Sequence, residues 1–304
     1  MKDRIIEIST DGSKLSKSKG FMVISSENNE SRVPLDDIGV VLISCRGTIY
    51  TNPILVSLAE HGVPVVIVDH RFMPVAWLWP LSGHHTQAKL MSAQIEASKP
   101  LSKRLWQQIV KAKIQQQAAV VEYLGHSSKS FDRLLKSVRS GDTTNVEAQA
   151  ARLYWPLIFG KNFRRRRSEG NVNSLLNYGY TILRSAAARA VVTAGLHPSI
   201  GIHHSNQYND WQLADDIVEP FRPLVDFTVL RLVNSGKRDL ETETKRVLAR
   251  TVARDLNTTV GTTPVSTCLI RLAQSLARSF VEQKIQLHLP HKCTAFELRA
   301  ISNG

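Results

Sequence analysis

The chain holds three cysteines in 304 residues, Cys45, Cys268 and Cys293, with no CxxC pair. Odd in number and widely scattered, they exclude a disulfide framework and a cysteine zinc site, and they suit idle thiols in a reducing cytoplasm. Long hydrophobic runs are missing too. The longest, such as 63–68, fall far short of the ~20 residues a membrane-spanning helix needs. Met1-Lys2-Asp3-Arg4 carries an acid and lacks an apolar stretch, so no signal peptide is expected and the expected location is the cytoplasm. Gly47, Gly62 and Gly83 form no Walker or dinucleotide fingerprint. No GxSxG and no Cys–His signature support acyl-transfer hydrolysis.

What is present is positive charge. The apolar fraction of 42% and charged fraction of 21% describe a soluble globular protein, yet the formal net charge is +13. The excess is uneven. Residues 1–80 hold 8 Lys/Arg against 9 Asp/Glu, which leaves 31 against 17 for the remainder. Such a balance favours a polyanionic partner met by the C-terminal three-quarters of the chain. An anionic membrane surface is the weaker reading, because no basic amphipathic anchor is present.

The first eighty residues read as strands separated by turn signals at Asp11-Gly12 and 27–30, with one helix over 52–61 closed by Gly62. Residues 77–85, WLWPLSGHH, read as a linker. Beyond it the 3.6-residue period predicts helices over 87–97, 102–124, 130–138, 147–159, 172–194, 222–234, 241–257 and 265–287. The expected fold is therefore α+β, a small N-terminal β-rich domain followed by a larger all-helical catalytic domain. The boundaries are residues 1–80 for the β-domain, 81–92 for a linker, 93–290 for the helical domain and 291–304 for a tail without clear period.

Chemistry concentrates in residues 195–226. There a histidine pair (His203, His204) precedes three acids (Asp215, Asp216, Glu219) and an arginine between prolines (Pro220, Arg222, Pro223). Imidazole and carboxylates are donors for a divalent cation. On a helix Asp216 and Glu219 share a face, with Asp215 one turn before Glu219, so a cation or an arginine is the expected partner. The plain alternatives are an exposed loop histidine and acids that suit a helix start. Glu147 is a further candidate, although Thr144 to Glu147 spells a capping box, and capping would preclude ligation. Lys161 and the run Arg164-Arg165-Arg166-Arg167 follow, and in a basic region they read as a phosphate-contact surface, with Arg184 and others adding cations on helices.

With these motifs in this order, the chain resembles the CRISPR-associated integrase family, the larger universal subunit of the spacer-acquisition machinery. Glu147 with Ala150, Ala151 and Tyr154, then NSLLNYGY at 173–180, then Gly195-Leu196, Pro198, Gly201 and His204, and finally DIVEPFRP at 216–223 carry the likeness. Its length and the EPFRPLVD wording look most like the type II (effector-nuclease) branch. The resemblance implies metal ligands at Glu147, His204 and Glu219, which would also be the catalytic residues, with Asp216 as a supporting acid. His203 fills a position usually apolar in the family, and His197 stands where an acid is frequent. It implies Mg²⁺ or Mn²⁺ and DNA contacts through Arg164, Arg165, Arg166, Arg167, Arg184 and Arg222. The implied reaction is attack by a DNA 3′-hydroxyl on a phosphodiester at the repeat of a CRISPR array. The implied partners are double-stranded DNA (spacer precursor and repeat), a second copy, a small ferredoxin-like adaptation subunit in a hetero-hexamer, and the type II effector nuclease. A non-catalytic basic nucleic-acid-binding scaffold, with its acids merely capping helices and pairing with arginines, is the alternative.

Overall fold

The computed structural model describes residues 4–27, 29–69, 74–78, 87–166, 170–204, 209–258, 261–295 and 297–299. They form two compact units, Met1–His85 and Thr86–Gly304. In the first, β1 (Arg4–Ile8), β2 (Lys14–Ser18), β3 (Phe21–Ser26), β4 (Asn29–Pro34), β5 (Ile38–Ile43) and β6 (Ile49–Tyr50) precede α1 (Asn52–Glu60), β7 (Val65–Val68) and β8 (Pro74–Leu78). Two four-stranded sheets result, with orders β1-β5-β7-β8 and β4-β3-β2-β6. β5, IGVVLI, is buried at every position and lies parallel to both β1 and β7. That is the unbroken apolar run of a strand covered on both faces. Ile8, Leu15, Met22, Ile38, Ile54 and Leu58 meet in one core. Trp77 and Leu78, expected in the linker, belong instead to β8, paired antiparallel with β7.

The second unit runs through α2 (Gln87–Ile95), α3 (Lys99–Tyr123), α4 (Lys129–Ser137), α5 (Val146–Phe159), α6 (Val172–Thr193), α7 (Gln212–Val218), α8 (Arg222–Asn234), α9 (Thr242–Ala249), β9 (Asp255–Thr258), β10 (Gly261–Pro264) and α10 (Val265–Glu282). Of the expected linker, residues 81–86 lie outside the described residues and 87–92 are helical. α6 is buried along most of its length, and its small residues admit neighbours closely. At Gly179 an added Cβ would stand 2.5 Å from Val225 Cγ1 of α8. Ser98 caps α3, accepting from the Leu101 amide at 3.4 Å, and Pro100 occupies its first turn.

The second unit is not all-helical. The helix expected over 241–257 ends at Ala249, passes through a 3₁₀ turn and becomes β9, which pairs antiparallel with β10. Apolar spacing alone could not show this, because the Asn257 amide is held at 2.6 Å by Glu297, forty residues away. α10 stops five residues before the expected 287, where Gln283 turns left-handed at φ 53°. The Ser279 and Ser275 hydroxyls then accept from the amides of Gln286 and His288, so the chain folds back along the helix. The start of the 291–304 tail is anchored as well, since Gln116 bonds both the His291 carbonyl and the Cys293 amide.

Candidate active site

Glu147 stands in the first turn of α5, but it does not cap it. The N-cap is Asn145, left-handed at φ 53°, whose side chain accepts from the Ala148 amide at 3.4 Å. Asp142 takes the next two orphan amides, Val146 N–H at 2.8 Å and Glu147 N–H at 3.0 Å. A carboxylate is a stronger acceptor for these groups than the Thr144 hydroxyl. The capping box expected from Thr144 and Glu147 is therefore not formed, and the Glu147 carboxylate turns to Lys113 of α3 at 2.5 Å.

Glu219 sits where α7 ends. Pro220 lacks the amide a continuing helix would use, so the chain tightens into a 3₁₀ turn over Glu219–Phe221 before α8 begins. The side chain is 2% exposed. Its Oε1 pairs with Arg222 at 2.7 Å and its Oε2 lies 2.5 Å from the same Lys113 Nζ. One nitrogen 2.5 Å from an oxygen of each glutamate places those oxygens within 5.0 Å of each other. Two carboxylates 72 residues apart in sequence thus converge on one cation position. Burial alone would lift the Glu219 pKa, but Arg222 and then Lys113 outweigh it and hold the carboxyl below its usual range. Burial pulls the Lys113 pKa down, and Glu219 and Glu147 reverse that.

His204 is organised by Asp216, which is fully buried. Asp216 accepts from the amides of Ile202 (2.6 Å), His203 (3.1 Å) and His204 (3.3 Å), and from His204 Nδ1 at 2.6 Å. A carboxylate only accepts, so Nδ1 donates and Nε2 is left as the lone-pair nitrogen. The Asp216 bond raises the His204 pKa against the effect of burial, and the Asp216 and Glu219 charges add to the rise. Gly201 is obligatory for the approach: a Cβ there would meet the His204 carbonyl at 2.6 Å and Asp216 Oδ2 at 3.0 Å. His203 turns away onto Trp106, stacked with centroids 4.3 Å apart. His197 Nδ1 accepts from the Ser199 amide.

The other candidates take different partners. Asp215 binds Arg184 at 2.6 Å. Arg222 pairs with Glu219 and lies over the Tyr180 ring at 4.8 Å. Arg165 reaches Asn173 and Asn177 and also faces Tyr180. Arg184, Arg222 and Arg165, expected on DNA phosphates, are thus internal partners of acids, amides and a ring. Arg164 is exposed, bonded to the carbonyls of Lys161 and Phe163. Arg166 is exposed as well, and Arg167 lies outside the described residues.

Sequence reasoning missed Lys113 and Trp106. Both lie on α3, seven residues and two turns apart on one face. A signal existed: Lys113 falls in register with Trp106, Ile109, Val110 and Val120, all buried, and a lysine in an apolar stripe needs a buried anion. Asp226 of α8 was missed as well. It accepts from the Tyr180 hydroxyl, and burial raises its pKa to about 7 despite that bond and the nearby Arg222.

Among the described residues no group of three or more His, Cys, Asp or Glu side chains is arranged to hold an ion as it stands. Lys113 occupies the position between the two glutamates. The donor chemistry nonetheless fits a cation. Glu219 is buried and both its oxygens face cations, Oε1 the Arg222 guanidinium and Oε2 the Lys113 ammonium.

Against known proteins, residues 6–255 match the family model described as CRISPR associated protein Cas1. The chain belongs to the Cas1 family. It is 41% identical over 232 residues to the CRISPR-associated endonuclease Cas1 of Neisseria meningitidis serogroup C (strain 8013), covering 76% of each chain. It is 26% identical over 291 residues to a Cas1 endonuclease of Pyrobaculum aerophilum, covering 90% of this chain and 98% of that one. Among solved structures, a casposase bound to its integration product superposes with a TM-score of 0.79 at 21% identity, over 94% of this chain and 93% of that one. A Cas1 protein from Thermotoga maritima gives 0.77 at 18% identity, over 91% and 97%. The Cas1 fold, a strand-rich unit followed by a mainly helical one, is the fold described above. No helix among the described residues is long and apolar enough to cross a membrane.

Proposed function

We propose that this Cas1-family chain is a metal-dependent DNA integrase and endonuclease that inserts short DNA into a CRISPR array. The observation that carries the reading is the convergence of Glu147 and Glu219 on one cation position, with Asp216, three residues before Glu219, orienting the His204 imidazole. Glu147, His204 and Glu219 would hold Mg²⁺ or Mn²⁺, with Asp216 supporting through His204 as an outer-shell carboxylate. When bound, such an ion supplies charge neutralisation at the attacked phosphate and at the entering and leaving oxygens.

The reaction is a transesterification. A 3′-oxygen forms a bond to phosphorus, the phosphodiester bond of the repeat breaks, and the leaving 3′-oxygen takes up a proton as the attacking hydroxyl gives one up. One phosphodiester replaces another, so no nucleotide triphosphate is required, in keeping with the missing Walker motif. Arg222, lying over the Tyr180 ring, holds the Glu219 oxygen that Lys113 does not, which keeps the carboxylate oriented. Exposed cations such as Arg164 would track the DNA backbone.

The likeness to a chain of a Cas6-RT-Cas1–Cas2 complex, at a TM-score of 0.77 and 20% identity over 96% of this chain and 36% of that one, supports a fold suited to such an assembly. A Cas2-like small subunit, a second copy of this chain and duplex DNA are the proposed partners. The hetero-hexamer, type II membership and contact with the effector nuclease extend the same reading.

A half-site DNA incubated with Mn²⁺ or with EDTA tests the proposal. Strand joining with Mn²⁺, its loss in EDTA, and a folded Glu219→Ala protein that still shifts DNA on a gel without joining it are the expected results. The scaffold reading draws support from the neutralisation of both glutamates by Lys113 and Arg222. DNA that shifts but stays unjoined with Mn²⁺ in the wild type would favour it.

A further inference from the structure

Lys113 stands where the cation would stand. Its Nζ is 2.5 Å from Glu147 Oε1 and 2.5 Å from Glu219 Oε2. Carboxylate oxygens hold Mg²⁺ at ~2.0–2.1 Å, so an ion on either of these oxygens would lie within about 4.6 Å of that nitrogen. Two cations cannot share so small a buried space, and one must leave.

We propose that Lys113 is an internal surrogate for the metal: its ammonium holds Glu147 and Glu219 together before an ion arrives, and the ion displaces it. This rests on the reading that Glu147, His204 and Glu219 hold the ion. Without Lys113, two carboxylates with oxygens within 5.0 Å, one of them buried, would repel and spread. With it, the ligands are already near their working separation.

Two observations make Lys113 the movable member. Arg222 binds the other Glu219 oxygen and is itself held over Tyr180, so Glu219 keeps a partner when the ammonium goes. Glu147 is 26% exposed against 2% for Glu219, so the flexible lysine stem has a way out on the Glu147 side while its backbone stays fixed in the middle of α3. Lys113 is thus a positioning residue that acts through the carboxylates.

Mn²⁺ binding followed by electron paramagnetic resonance in the full chain, as wild type, Lys113→Met and Glu219→Gln, separates this inference from the reading beneath it. Lys113→Met is expected to bind Mn²⁺ at least tenfold more tightly than the wild type, and Glu219→Gln at least tenfold more weakly. Equal or weaker binding by Lys113→Met, with Glu219→Gln still impaired, would overturn the surrogate role and leave the metal site standing. No binding by the wild type, or no effect of Glu219→Gln, would overturn both.

A second measurement needs no substitution. Limited acetylation of the wild type, read peptide by peptide in a mass spectrometer, reports the exposure of the Lys113 amine, with neighbouring Lys111 as internal reference. Saturating Mn²⁺ is expected to raise Lys113 labelling at least fivefold and leave Lys111 unchanged. Lys113 labelling that does not respond to Mn²⁺ would overturn the proposal even if Lys113→Met fails to fold.

Discussion

Asp216 does the work of several residues at once, tying three consecutive amides and the His204 ring into one loop. Asp216→Ala leaves buried donors unpaired and is expected to cost about 2–4 kcal/mol in urea unfolding. It is also expected to weaken Mn²⁺ binding about tenfold to a hundredfold, since it removes the support behind a ligand. Asp226 poses a different problem, a carboxyl whose pKa burial raises from 3.8 to about 7. Between those values the folded state binds the proton more tightly than the unfolded chain, so this group's contribution to stability is fullest below about pH 4 and is lost as pH rises toward 7. Asp226→Asn keeps an acceptor for Tyr180 and removes the charge. Its stability relative to the wild type is expected to rise between pH 4 and 7, by at most about 4 kcal/mol. A difference that stays flat with pH in urea titrations would refute the assignment.

At the scale of elements, the start of α5 decides what Glu147 is free to do. Asp142→Ala strips the Val146 and Glu147 amides of their acceptor and is expected to cost about 1–2 kcal/mol and to lower strand joining with it. Thr144→Ala, which the capping-box reading would make equally harmful, is expected to be near silent in both assays. Thr144 read as the cap, and the sequence could not show otherwise, because Asp142 reaches the helix only through left-handed residues at 142 and 145. Periodic helices such as α3, α6 and α8 were legible because their apolar stripes are long. β9 and β10 were not, since a short hairpin fixed partly by Glu297 leaves no helical or alternating signature of its own. The acids on and after α7 were legible as a cluster, but not their separate partners, which lie on α3 and α6.

For the molecule as a whole, +13 is a statement about its partner, and the arginines with internal partners refine it. DNA affinity is expected to fall linearly on a log–log plot against salt, with Arg164→Ala reducing the slope by about 1. Arg184→Ala, whose guanidinium already serves Asp215, should leave that slope unchanged. The two-part architecture could be read from charge and period together, because a near-neutral strand-rich segment gives way to a basic helical one. The site could be read only in part: the proposed ligands showed as residue types, while Lys113, which joins two of them, showed only as a lysine out of place on an apolar stripe. The central claim is that segments around residues 147, 204 and 219 surround one ion. Replacing that ion with Fe²⁺ and adding ascorbate and peroxide generates hydroxyl radicals that cut the chain where it is bound. The account expects backbone cuts near all three positions, abolished together by Glu219→Ala; cuts clustered elsewhere, or unaffected by that substitution, would contradict it.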